Sequence, residues 1–505
     1  MSIVDTFFNR MAEALAPKIS DKMGREQSIL ATYYVGNHRP QLKPKENPKT
    51  GAITDDNVIM NFTGLAVDRS VSRLFRGGID FNLPDGAEAQ EEYIERVWDL
   101  NKKEIILYQA GLHGAVYGTT YFKIAPDGIT DPYTGDVYPR LIPIDPEIIR
   151  IITDPQDMNV VAKYHIEYKV KIQEAEFVVK EVAYREITER RGNGWVITYE
   201  KQEGQSSKWQ KYMPDTVWDY DFPPILHWKN LPSLKSCYGD SEIDDIINVQ
   251  DKANFTYSNT GKIIEYHAHP KTIVTGISAS SIVTLDTGPT AMHVFSTPDA
   301  KAYNLEMDSD LASSRNFGND LRQAIFDISR EVDISSMADK LGALTNFGLR
   351  VLWSDAMDKN DTKRSLYGDA LLELNRRLLV LAGWTGEASD PGEIQWGEAM
   401  ITNPMEEMQV DQLALDMGLV DKETVYDRYK ARYGKSWEDI QAALAEEAAN
   451  ANQNNSDIGS IILRNFNNGM GGGEQGPTGG APINMERSMG TAGPLPKGMN
   501  GNNAE

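Results

Sequence analysis

The chain has 505 residues, 40% hydrophobic and 25% charged, a mixture that can bury a sizeable core and fills two or three ordinary domains or one elongated subunit of several parts. Its 51 basic and 74 acidic residues leave a net charge of −23, which excludes a protein that grips nucleic acid over a broad basic surface. A single cysteine, Cys237, excludes an internal disulfide framework and a cysteine-built zinc site, and no apolar run approaches the ~20 residues of a membrane span.

The N-terminus carries Val4, Phe7, Phe8, Met11 and Leu15 between Asp5, Arg10 and Glu13, the pattern of an amphipathic helix and not of a signal peptide. The reading is of a soluble protein of a reducing compartment such as bacterial cytoplasm. Pro40, Pro44, Pro48 and Gly51 mark a loop-rich insert. The stretch Asn57–Phe81 spaces Ile59, Phe62 and Leu65 for a helix, with Gly77-Gly78 as its stop and a strand at Ile79–Phe81. From 116 to 230 the texture changes to short segments rich in Val, Ile, Tyr and Phe: Val116–Ile124, Leu141–Ile144, Ile148–Ile152, Val160–Val170, Phe177–Arg185 and Trp195–Glu200. Turn signals at Asp131–Gly135, Asp154-Pro155 and Gly192-Asn193-Gly194 separate them, so the region reads as antiparallel sheet.

Helix returns near Gly239, with Ser241 as cap and Asp240, Glu242, Asp244 and Asp245 crowding the positive end of the dipole, and runs to about Tyr266. A small β unit follows, with strands at Thr272–Thr275, Ile282–Leu285 and His293–Phe295. A second long helix over 309–332 carries Phe317, Leu321, Ile325, Ile328 and Val332 on one stripe. After a Gly- and Ser-containing break at 333–348, a third helix over 349–382 sets Tyr367, Leu371, Leu374, Leu378 and Leu381 on one face. Asn403-Pro404-Met405-Glu406 opens a helical C-terminal unit, Gly418 closes its first helix, Asp421 caps the next, and Ser436–Asp439 opens a third. From about 449 the Asn- and Gly-rich composition predicts disorder, or a tail that orders on a partner.

The search for chemistry finds no catalytic residue, no metal site and no cofactor site. Gly434-Lys435-Ser436 resembles the end of a phosphate loop, but Tyr429 stands where the first glycine belongs, so Ser436 reads as a helix cap. Gly192-Asn193-Gly194 reads as a hairpin turn. His267 and His269 lack a third ligand at a suitable spacing, and Asp355, Asp358 and Asp361 fit a solvated helix face better than a metal cluster. Cys237 reads as a small apolar filler.

The order of these parts resembles the portal (head-to-tail connector) proteins of long-tailed phages, over roughly residues 25–450. Tyr33-Tyr34-x-Gly36 with the Asn57–Phe81 segment carries part of the likeness, as do Gly118–Lys123 (GTTYFK) and Pro139–Pro146. The most specific part is Pro223–Asn230, then Tyr238-Gly239-Asp240-Ser241-Glu242-Ile243, then Val249–Asn254. Glu398–Leu444, with its NPMEE and GLVDKETVYDR runs, matches the C-terminal helices of that family. The segments 333–348 and 270–307 show no such match.

The resemblance implies an α+β, portal-type subunit. Residues 1–230 would be the N-terminal part of the wing, 231–266 a stem helix, 267–308 the clip and 309–332 the second stem helix. Residues 333–348 would be the tunnel loop, 349–403 a long helix returning to the wing, and 404–448 a helical crown, with 449–505 a disordered tail. It implies a homo-oligomeric ring, a dodecamer, in the virion at one capsid vertex, assembled in the bacterial host cytoplasm. Double-stranded DNA would pass through it, and the partners would be a terminase large subunit, a head-tail adaptor, and the major capsid and scaffolding proteins, with no membrane. Twelve helices of ~10 Å set side by side enclose a lumen of roughly 28 Å, wide enough for a duplex. An acidic lumen would repel phosphates and let DNA slide. The basic residues expected to touch it are Lys340 first, then Arg350, with Lys252, Lys262, Arg315 and Arg322 on the stem helices; pairing with acids of neighbouring subunits is the competing expectation for those four. The alternatives are another capsid or neck protein, or a nucleotide-dependent packaging enzyme, which would need a complete phosphate loop.

Overall fold

The structure is a computed structural model. It describes residues 28–426 and 440–445, apart from 39–44, 47–50, 52, 56, 176–177, 193, 204–207, 235–236, 269–270, 276–298, 300, 306–310, 337–345 and 401–403. The N-terminal helix, the strands at Ile282–Leu285 and His293–Phe295, the Gly434–Ser436 segment, the helix start at Ser436–Asp439 and the tail from 449 fall outside the described residues. The chain mixes helix and sheet and divides into two compact units, Met1–Asn403 and Pro404–Glu505.

In the first unit, helix α1 (Phe62–Leu74) starts where Asn61 Oδ1 accepts the Gly64 N–H at 3.0 Å. Gly77 and Gly78 take φ of 77° and 83°, a left-handed exit open to glycine, and strand β1 (Ile79–Asn82) follows as expected. Helices α2 (Glu88–Leu100) and α3 (Lys103–Tyr117) come next. The strand expected from Val116 begins three residues later. Val116 and Tyr117 close α3, Gly118 turns the chain at φ 82°, and β2 (Thr119–Thr130) starts there.

The sheet region is antiparallel throughout. Its strands are β3 (Val137–Pro143), β4 (Ile149–Thr153), β5 (Val161–Ala175), β6 (Val178–Arg191), β7 (Gly194–Glu203), β8 (Gln210–Lys211), β9 (Thr216–Trp218) and β10 (Ile225–Lys229). One sheet runs β8-β7-β6-β5-β4 with β9 also on β7, and the other runs β10-β2-β3. The expected turn between β6 and β7 is present: Arg191 lies opposite Gly194, and Gly192 takes φ 64°.

Two long helices follow, α4 (Ile247–Ala268) and α5 (Leu311–Ser329), with strands β11 (Lys271–Thr275) and β12 (Lys301–Leu305) paired between them. The expected α5 stripe is only partly an inner face. Ile325 and Val332 are buried, and so is Phe326, whereas Phe317 is 45% and Ile328 46% exposed. The third helix is two: α6 (Asn346–Leu352) and α7 (Ser354–Leu381), broken at Trp353. Tyr367, Leu371, Leu374 and Leu378 of α7 are fully buried among Trp98, Phe122 and Trp228, which makes α7 the spine of the main core. Strand β13 (Glu393–Trp396) returns to pair with β1.

In the second unit, α8 (Pro404–Asp416) begins on the expected proline. Gly418 at φ 68° ends it, with Leu419 N–H on the Ala414 carbonyl and Gly418 N–H on that of Leu415. Asp421 Oδ1 accepts the Thr424 N–H at 2.8 Å, as expected of a cap.

Candidate functional site at the root of the paired helices

The approach to α4 differs from the sequence expectation. A 3-10 turn, Asp244–Ile246, precedes the helix, and the first turn of α4 holds no acid. Ser241 does cap locally, its hydroxyl accepting from Ile243 N–H at 3.2 Å and donating to the Val116 carbonyl at 2.6 Å. Glu242, however, is no dipole partner. Its side chain is 4% exposed and points into an ionic cluster.

That cluster joins four elements. Lys359 of α7 donates to Glu242 Oε2 at 3.0 Å, to Glu331 Oε1 at 2.7 Å and to the Ser329 carbonyl at 2.8 Å. Lys363, one turn on, donates to Glu242 Oε1 at 2.6 Å and to Ser70 Oγ of α1 at 3.1 Å. Arg73 of α1 pairs with Glu331, and its guanidinium lies 4.9 Å from the Trp353 ring centroid. No side chain of the five ionised groups is more than 4% exposed. Glu242 precedes α4 and Glu331 follows α5, so the single ammonium of Lys359 clasps both ends of the helical pair.

Burial pushes the Glu242 carboxyl up, but Lys359 and Lys363 more than offset it and hold it well below the usual carboxylate range. Burial pushes Lys359 down, and Glu242 with Glu331 outweigh it, leaving it raised. For Lys363 burial wins over its attraction to Glu242, and its pKa is lowered. The cluster brings three cations to two carboxylates, and the neighbouring Lys359 charge adds to the effect of burial on Lys363.

The residues that carry the sequence resemblance assemble around this cluster. Asn230 donates to Glu242 Oε1 at 3.0 Å and accepts from the Tyr367 hydroxyl at 3.0 Å, while its N–H donates to the Gly118 carbonyl at 2.8 Å. Gly118 and Gly239 cross so closely that a Cβ on either would overlap the other's carbonyl oxygen. The glycines are there because two backbones touch. Farther along α4, Gln250, Asn254 and Ser258 lie at i, i+4 and i+8 and accept the N–H groups of Phe62, Met60 and Val58 at 3.1, 3.0 and 2.9 Å. Three polar side chains thus serve an extended segment as a neighbouring strand would. Asn254 also meets His38 Nδ1 at 2.8 Å, and the Tyr33 hydroxyl donates to Asp251 at 2.7 Å.

The six basic residues expected at a lumen are not brought into this cluster. Lys340 lies outside the described residues. Arg350 is exposed on α6 and Arg315 is exposed on α5. Lys252 is exposed on α4, with its ammonium 5.2 Å from the Phe255 ring centroid. Lys262 is half-buried, 3.5 Å from Asn57 Oδ1. Arg322 pairs with Asp333 of its own chain at 2.8 Å and lies over the rings of Phe62 and Phe326. Among the described residues no group of three or more His, Cys, Asp or Glu is placed to hold a metal, and Asp355, Asp358 and Asp361 are all exposed on α7. No helix among the described residues is long and apolar enough to cross a membrane.

A family model described as "Phage portal protein, SPP1 Gp6-like" matches residues 28–453. A search of curated proteins finds no match. Among solved structures, a chain of "Virion of native gene transfer agent (GTA) particle" is similar at 11% identity and a TM-score of 0.36, covering 73% of this chain and 88% of that one.

Proposed function

The chain belongs to the phage portal protein family, and from that premise we propose that it forms the ring at one capsid vertex through which double-stranded DNA is packaged and ejected. The observation that carries this reading is the family match over 28–453, most of the 505-residue chain. The ring would contain twelve copies and serve first as the platform for a terminase large subunit and later for a head-tail adaptor, with capsid and scaffolding proteins gripping its outside. In this reading α4 and α5 are the stem and 267–308 the clip. Residues 333–348 form the tunnel loop, 1–230 and 349–403 build the wing, and 404–448 the crown.

The chain would act as a conduit and catalyse nothing itself; the energy for packaging comes from a separate motor. The proposed contacts to DNA are Lys340 and Arg350, in and beside the tunnel loop, and Arg315 on α5. They act as weak, exchanging contacts on an acidic subunit of net charge −23, which favours sliding over binding. The alternatives, another capsid or neck protein or a nucleotide-dependent packaging enzyme, have no observation in their favour. Native mass measurement and negative-stain images of the purified protein test the reading. A closed ring with a central hole is the expected result; monomers, shells or turnover of ATP by the pure chain would refute it.

A further inference from the structure

Helices α4 and α5 each leave one face unpartnered, and the two faces differ in charge. On α4, Asn248, Lys252, Phe255 and Asn259 fall at i, i+4, i+7 and i+11, one continuous ridge. Lys252 and Phe255 are exposed on it, Phe255 at 49%. On α5, Phe317, Asp320, Ala324, Asp327 and Ile328 fall at i, i+3, i+7, i+10 and i+11. Phe317 and Ile328 are 45% and 46% exposed, and the carboxylates of Asp320 and Asp327 are exposed with no ion pair among the described residues. One ridge is apolar and basic, the other apolar and acidic. The opposite faces are used up: Tyr257 covers Gly318 and donates to its carbonyl at 2.8 Å, and Gln250, Asn254 and Ser258 hold the segment before α1.

We propose that the α4 ridge of one copy packs against the α5 ridge of the next, with Lys252 between Asp320 and Asp327 and Phe255 against Phe317. The inference rests on the ring reading above and names the surface that would close the ring. Heights along the helices carry it. The ends of the pair are clasped together at Lys359, so α4 and α5 run antiparallel, and the Tyr257–Gly318 contact marks one level. Five residues toward the clasp from that level are Lys252 on α4 and Gln323 on α5. Asp320 and Asp327 then lie about 4.5 and 6 Å to either side of Lys252 in height, at ~1.5 Å per residue. Phe255 lies level with Asp320, about 4.5 Å from Phe317 by the same rise. In a ring whose axis runs along the helices, rotation preserves height and the complementary groups of adjacent copies meet. The basic ridge of one copy meeting the acidic ridge of the next, repeated from copy to copy, is a head-to-tail contact, the kind that propagates around a ring.

The test is native mass measurement of four chains: wild type, Lys252→Glu, Asp320→Lys/Asp327→Lys, and all three changes together. In about 0.1 M salt each of the first two variants should lose closed rings by about fivefold or more, and the combined variant should recover them. Circular dichroism checks that helix content is kept. A second measurement does not depend on charge: Phe255→Cys/Phe317→Cys in a Cys237→Ser background should give, on oxidation, a ladder of covalent oligomers in denaturing gels. Wild-type rings with full ring formation by Lys252→Glu and no ladder would overturn this inference and leave the ring reading intact. A wild-type chain that forms no ring would overturn both.

Discussion

Glu242→Gln is the substitution that isolates the ionic clasp. Glutamine keeps the shape of the side chain and removes its charge. Lys359 would retain Glu331 and the Ser329 carbonyl, but Lys363 would lose the negative charge at 2.6 Å and keep neutral partners, Ser70 at 3.1 Å among them. Lys363 is fully buried, so its charge would be left without a counter-ion, and removing one partner of a buried pair costs about 3–5 kcal/mol. Lys363→Met makes the opposite change. It removes one of the three cations, leaves two cations with two carboxylates, and lets Glu242 keep Lys359 and Asn230 at 3.0 Å each. Its cost should lie within about 1.5 kcal/mol of zero, the lost charged hydrogen bond being offset by relief of desolvation. The double variant should be more stable than Glu242→Gln alone by about 1–3 kcal/mol. Guanidinium unfolding followed by tryptophan fluorescence, at one fixed protein concentration, reads all three. The reasoning fails if Lys363→Met costs as much as Glu242→Gln, because the cluster would then not hold an excess of positive charge.

Gly118→Ala should destabilise by more than Gly135→Ala: the two share φ near 80°, but only at Gly118 would a Cβ strike another backbone, so the difference in unfolding midpoint reads the Gly118–Gly239 crossing. Burial, aided by Arg377 and Lys229, pushes His227 down to about 4, so the fold accepts the neutral ring; its contribution is full above about pH 6.5 and is lost as pH falls from there toward 4. His227→Gln, which can still meet the Tyr164 hydroxyl, should flatten that acid limb of the stability curve, and an unchanged slope would refute the assignment. Lys340→Glu should lower the DNA packaged per head while rings assemble normally; unchanged packaging would remove Lys340 from the proposed contacts.

The α+β pattern, the Gly77-Gly78 stop, the hairpin at Gly192 and the buried face of α7 were legible because each rests on local periodicity or backbone freedom. Helix boundaries misled where tertiary contacts decided them. Val116 reads as a strand residue, but Gly118 must turn left-handed beside Gly239, and that fixes the end of α3. The α5 stripe misled for another reason: Phe317 and Ile328 are apolar at helical spacing, yet the inner face of their own chain is filled by Gly318, Ile325 and Phe326. The clasp was missed because charges were read as surface. Its signal was present nonetheless. Extending the Tyr367–Leu378 face of α7 backward by four residues at a time reaches Lys363 and Lys359, lysines on a face that is otherwise core. Such residues require counter-ions, and Glu242 and Glu331 lie beside the helices that pack there.

The position of the clasp bears on how a stem of this kind would carry load. If α4 and α5 were anchored separately in the proposed stem, drag on their far ends would be resisted by α4·α5 packing, through small contacts such as Gly318 under Tyr257, and by the bonds from α4 to the segment before α1. Lys359 instead joins the start of one helix and the end of the other to α7, whose next turns bury Tyr367, Leu371, Leu374 and Leu378 fully in the main core. In the proposed stem, force on the helical pair would therefore pass to α7 and, through Arg73 and Ser70, to α1. The cost of this arrangement is desolvation of five charges, which an apolar core would avoid. What the charges add is directionality: an ammonium with three defined acceptors fixes the two helix ends in one relative position, whereas leucines could slide. In the proposed ring, neighbouring copies must present their α4 and α5 ridges at matching heights, and a joint that sets those heights within each subunit is a precondition for the ring to close.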